Sequence, residues 1–116
     1  MERRGAGLGR HALAHISGAE FAELNDEHRL LTAFKRTVLN FSLEALYEPQ
    51  IHKFEPQGLT GIILLAESHI SIHTWPERGE AAVDVFTCGN RDSRKIAEFF
   101  CTALSGGHLD VTVVER

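Results

Sequence analysis

The sequence has only two cysteines, three prolines, one methionine, one tryptophan and one tyrosine in 116 residues. Cys88 and Cys101 stand in no C-x-x-C spacing, so the pattern gives neither a disulfide framework nor a cysteine zinc site. A reducing, cytoplasmic setting fits that usage. No apolar run nears the ~20 residues of a transmembrane helix. The basic, glycine-rich start MERRGAGLGR lacks the apolar centre of a signal peptide. Residues 1–8 read as a loose arm, because their arginines and glycines bury nothing. Positive charge is also short: 12 Lys and Arg face 16 Asp and Glu, a net charge of −4 with neutral histidines. A nucleic-acid-binding face needs a basic stripe, and this balance argues against one.

What is there suits one domain over residues 1–116, long enough to bury a core without covalent staples. Residues 9–16, GRHALAHI, alternate as a first strand. From Glu20 to Phe41 the residues Leu24, His28, Leu31, Phe34, Val38 and Phe41 recur at three and four, one face of a helix. Residues 43–47 and 51–54 read as an extended stretch interrupted by Pro49, and Pro56 with Gly58 marks a turn. The apolar run 60–66 reads as a buried strand, continued as extended chain by the β-branched segment ISIHTW at 70–75. Trp75-Pro76 and Gly79 form a turn, 80–87 another strand, and Gly89-Asn90 a further turn. Asp92 or Ser93 caps a helix to about Leu104, with Ile96, Phe99, Phe100, Ala103 and Leu104 on one side. Residues 109–114 alternate as a last strand.

The order β-α-β-β-β-α-β implies an α+β fold, a two-layer sandwich with two helices on one face of a largely antiparallel sheet. Its other face then needs a cover, which a second subunit could supply.

Chemistry concentrates at 67–77, ESHISIHTWPE, where polar residues follow the apolar run IILLA. His69 and His73 are four apart, as are His11 and His15. On a helix that spacing suits zinc. On a strand it separates the side chains by ~13 Å, so no shared metal is expected within either pair. Alternation puts His69, Ser71, His73 and Trp75 on one face, with Ser68, Ile70, Ile72 and Thr74 on the other. Ser68 lies in no G-x-S-x-G elbow, which weighs against a serine hydrolase. Singly, each of these residues is more often structural than functional, and Cys88 alone would be a small buried hydrophobe.

Taken together, GRH at 9–11, FEPQGLTG at 54–61, ESHISIHTWPE, and AAVDVFTCG at 81–89 resemble the prokaryotic S-adenosylmethionine decarboxylase proenzymes, which are pyruvoyl-dependent. The resemblance implies that the Glu67–Ser68 bond breaks by itself, giving a β chain, 1–67, and an α chain, 68–116. Ser68 would attack the Glu67 carbonyl to form an ester. Elimination, then attack of water with loss of ammonia, would leave a pyruvoyl group, which forms a Schiff base with the substrate amine and acts as an electron sink. His73 matches the histidine of the processing step, and Thr60 stands where a processing serine is common. Cys88 matches the proton donor of decarboxylation. Phe54 matches the adenine-stacking ring and Glu77 the ribose-holding acid. No metal is implied.

The implied function is decarboxylation of S-adenosylmethionine for spermidine synthesis by a homo-oligomer, with (αβ)₂ the expected form and neither nucleic acid nor membrane as partner. Two positions depart from the family pattern. His15 stands where an acid is usual, and Glu80 where an aromatic residue is frequent. These departures keep a decarboxylase of arginine or ornithine open as an alternative, beside a non-catalytic regulatory homologue. Retention of Ser68, His73 and Cys88 argues against the latter. His69 receives no role.

Overall fold

The computed structural model describes residues 7–116. Six strands, β1 (Gly9–Ser17), β2 (Gln50–Lys53), β3 (Leu59–Leu65), β4 (Ser68–Trp75), β5 (Glu80–Cys88) and β6 (His108–Glu115), form one sheet in the order β2-β3-β4-β5-β1-β6. Every neighbouring pair is antiparallel. The helices are α1 (Phe21–Leu24), α2 (Glu27–Asn40) and α3 (Ser93–Leu104). The two-layer α+β architecture is as the sequence implies. Of the expected arm, residues 1–6 lie outside the described residues; Leu8 donates its amide to the Arg116 carbonyl at 2.7 Å.

Three expectations change in detail. The long first helix is interrupted at Asn25–Asp26. Asp26 accepts a bond from the Arg29 amide at 3.1 Å and so caps α2, while the Asn25 side chain accepts one from the Gly58 amide at 2.9 Å. The break shifts the helical phase: Leu30, Ala33, Phe34 and Thr37 become the buried stripe, and His28 is exposed. Residues 43–47 form no strand and contribute only the isolated bridge Ala45–Leu65. Finally, the extended run 60–75 is two strands, folded back on itself at Ala66–Glu67, so the sheet has six strands where the sequence suggested five.

Period-2 alternation decides which face is buried. Ala12, Ala14, Ile16, Leu59, Ile63, Leu65, Ile70, Ile72, Ala81, Val83 and Val85 point beneath the helices. There they meet Leu30 and Phe34 of α2 and Ile96, Phe100 and Leu104 of α3. The Phe34 and Phe100 rings stand 4.9 Å apart at the helix–helix contact. Each such side chain contributes about 1.5–3 kcal/mol by leaving water. Gly61 lets α2 approach β3, since a Cβ there would lie 3.0 Å from the Phe34 ring. Asp92 caps α3 through the Lys95 amide at 3.1 Å.

Among the described residues, the opposite face carries no helix. Leu13, Ile62, Leu64, Trp75 and Val114 stand on it between 36% and 45% exposed, and the histidines of β1 and β4 are interspersed with them. No helix among the described residues is long and apolar enough to cross a membrane.

Candidate active site

The residues singled out in the sequence fall into two groups at opposite ends of β4. The first surrounds the Glu67–Ser68 bond. Leu65 and Ser68 close the β3–β4 hairpin, leaving Ala66 and Glu67 as its two-residue turn. Glu67 has φ of 58°. An L-residue in this left-handed region crowds its Cβ against the following carbonyl, at a cost of about 1–2 kcal/mol. Glycine or asparagine usually takes such a position. The turn is braced from outside by the Ala66 amide, which donates to the Glu44 carbonyl at 2.9 Å. Antiparallel pairing returns the end of β5 to the same place, and the Cys88 thiol points at the Glu67 carboxylate with Sγ–Oε1 of 3.6 Å.

The second group lies where β4 ends. Here Phe54, Thr60, His73, Trp75 and Glu77 line a cleft of ≈ 270 Å³. Thr60 and His73 are cross-strand partners, and Thr60 Oγ1 lies 2.9 Å from His73 Nδ1. Phe54 is 47% exposed, with the His52 ring packed against it at 4.5 Å in a T-shaped contact. Glu77 sits in the 3-10 turn Pro76–Arg78, closed by Gly79 at φ of 66°. Thr74 fixes this end from below: its hydroxyl donates to the Leu24 carbonyl and accepts from the Leu59 amide, both at 2.8 Å.

Ser68 and His73 lie five positions apart on β4, about 16 Å at the rise of a strand. One chain therefore does not bring His73 and Thr60 to the bond they were expected to act on. Each group gathers residues singled out in the sequence, which carried no sign of their separation.

Between the ends, on the same open face, lies a cluster that sequence reading missed. His69 Nε2 donates to Asp84 Oδ1 at 2.8 Å, and the Ser71 hydroxyl donates to Asp84 Oδ2 at 3.1 Å. His11 Nε2 stands 3.6 Å from Asp84 Oδ1. The two positions that depart from the family pattern also meet: His15 Nε2 is 3.3 Å from Glu80 Oε2, and Arg78 holds the other Glu80 oxygen at 2.8 Å.

Residues 10–116 match the family model for S-adenosylmethionine decarboxylase. The chain belongs to the S-adenosylmethionine decarboxylase family. It is 40% identical over 110 residues to a protein of Caldicellulosiruptor saccharolyticus named S-adenosylmethionine decarboxylase proenzyme, covering 94% of this chain and 88% of that one. A protein of the same name from Clostridium tetani is 49% identical over 110 residues, covering 94% and 86%. The crystal structure of the adenosylmethionine decarboxylase from Aquifex aeolicus superposes with a TM-score of 0.84 at 35% identity, covering 95% of this chain and 91% of that one. As a family member the chain is a decarboxylase, and its named relatives are proenzymes.

Proposed function

We propose that this family member cuts itself between Glu67 and Ser68 and then decarboxylates S-adenosylmethionine with a pyruvoyl group made from Ser68. The observation that carries this reading is the left-handed backbone of Glu67. A side-chain-bearing residue held at φ of 58° directly before a serine stores strain in the bond to be broken. Cleavage releases the turn that imposes that strain.

The roles follow from position. The Ser68 hydroxyl attacks the Glu67 carbonyl, breaking the amide and forming an ester, and elimination frees residues 1–67. His73, with Thr60 2.9 Å from its Nδ1, accepts the proton lost in elimination, and the Thr60 hydroxyl steadies the oxyanion. When present, the pyruvoyl group supplies the electron sink for loss of CO₂. Cys88 stands at the same end of β5 as the cut and delivers the proton that replaces CO₂. The exposed Phe54 ring stacks on adenine, and the Glu77 carboxylate accepts from ribose hydroxyls.

Because the two groups are about 16 Å apart, this chemistry needs two copies. A two-fold axis near the middle of β4 would lay the cut end of one chain over the cleft of its partner. It would bury the exposed Leu13, Ile62 and Leu64 of each. An (αβ)₂ dimer with two composite sites follows, each holding Ser68 and Cys88 from one copy and Phe54, Thr60, His73 and Glu77 from the other. The unpaired Cys88 and Cys101 agree with a cytoplasmic location, and the product suits spermidine synthesis.

The arginine, ornithine and non-catalytic alternatives find no support among the named relatives. Release of CO₂ from S-adenosylmethionine, arginine and ornithine tests the substrate. Turnover of S-adenosylmethionine alone is expected, and activity confined to the other two would overturn the assignment.

A further inference from the structure

Among the described residues, one group of three potential metal ligands converges: His11, His69 and Asp84, whose ligand atoms all lie within 4.8 Å of one another. It takes one histidine from each of two i, i+4 pairs. Neither pair can chelate along its own strand, but β1 and β4 both flank β5, and His11 and His69 are both cross-strand partners of Phe86. Asp84, two residues before Phe86 on the same face, reaches between the two rings.

We propose that His11, His69 and Asp84 bind a divalent first-row transition ion such as Zn²⁺ or Co²⁺. The donor set decides the class of ion. Two imidazoles and one carboxylate suit Zn, Co, Ni or Fe(II), whereas Mg²⁺ and Ca²⁺ favour oxygen alone.

The spacing fits as well. Ligands at ~2.0–2.1 Å in a tetrahedron lie roughly 3.4 Å apart. Asp84 Oδ1 is 2.8 Å from His69 Nε2 and 3.6 Å from His11 Nε2, so small side-chain adjustments seat an ion. His11 Nε2 is buried and has no hydrogen-bond partner, a polar atom that a metal would satisfy. The Ser71 hydroxyl on Asp84 Oδ2 orients the carboxylate from outside, as groups behind metal ligands commonly do.

Coordination requires both imidazoles to carry their proton on Nδ1. His69 moves it there from Nε2. For His11 the change costs the 3.1 Å contact from the exposed Arg116 guanidinium to Nδ1, a bond whose loss water offsets. Three protein ligands leave at least one coordination position for a water molecule.

The experiment is titration of the chelator-treated full chain with Co²⁺ and Zn²⁺, by calorimetry and by the visible bands of protein-bound Co²⁺. It is run on the Ser68→Ala chain, so the outcome does not depend on cleavage or turnover. One ion per chain is expected, with affinity falling at least about tenfold in both His11→Ala and Asp84→Asn. His108→Ala, at a histidine 71% exposed, should leave binding unchanged. Absence of binding at millimolar metal overturns the site, as does affinity that follows His108 and ignores His11. If Asp84→Asn does not fold by circular dichroism, His11→Gln decides in its place.

Discussion

Thr60 Oγ1 lies 2.9 Å from His73 Nδ1, five residues of β4 away from the serine whose conversion the pair is proposed to assist. Two copies must then share each site, and complementation follows. His73→Ala and Cys88→Ala should each be inactive alone. Coexpressed, they form heterodimers in which one composite site has every group intact. About a quarter of wild-type activity should return if dimers assort at random. No recovery would place the whole site within one chain.

The two cysteines should differ sharply in reactivity. Burial pushes the Cys101 thiol up to about 12, and its residue is only 2% exposed. Cys88 is half-buried beside Glu67. Native alkylation read by mass spectrometry should label Cys88 alone, and substrate should slow it. Cys88→Ala should still cleave but lose turnover by about 10²–10⁴; normal turnover would remove its assigned role.

The strands were legible because their alternation is regular and one face is fully covered. Ile70, Ile72 and Thr74 are buried, as β-branched residues in an alternating run imply. The hairpin turn was not legible, since Ala66 and Glu67 carry none of the usual glycine or asparagine; the strain that makes Glu67 informative also hides the turn. The helix break had a signal, Asn25-Asp26, which ends α1 and caps α2, masked by continuous helical spacing on either side. The His11–His69–Asp84 cluster joins three strands, and spacing along one strand cannot reveal it. The family resemblance singled out candidate residues of both groups, but only register separates them in space.

Glu80 occupies an unusual position, yet it is held by both Arg78 and His15. A carboxylate so paired has little charge free for a cationic substrate, and an exposed pair contributes only ~0–1 kcal/mol. Glu80→Gln should change KM for S-adenosylmethionine by less than about fivefold. A larger rise, with kcat unchanged, would make Glu80 a direct substrate contact.

Glu23 links three helices. Its carboxylate accepts from the Glu20 amide at 3.2 Å and the Gly106 amide at 3.3 Å, and lies 3.6 Å from Arg29. Burial pushes its pKa up, but those amide bonds, with Ser105 and Arg29, bring it below the ordinary value of 4.5. Its stabilisation is therefore complete above that value and is lost as pH falls through the lower, folded value. Thermal melts of Glu23→Gln should lie below wild type at pH 7 and converge with it in acid. A constant gap at all pH would assign the loss to packing.

Self-cleavage at the strained Glu67–Ser68 bond is tested most directly by intact-protein mass spectrometry of the purified chain. Two fragments are expected, residues 1–67 with a free carboxylate, and residues 68–116 lighter by one ammonia than the same peptide beginning with serine. Ser68→Ala should give one uncut chain. A wild-type chain that stays whole with Ser68 intact, under conditions where it releases CO₂ from S-adenosylmethionine, would contradict the proposed origin of its catalytic group.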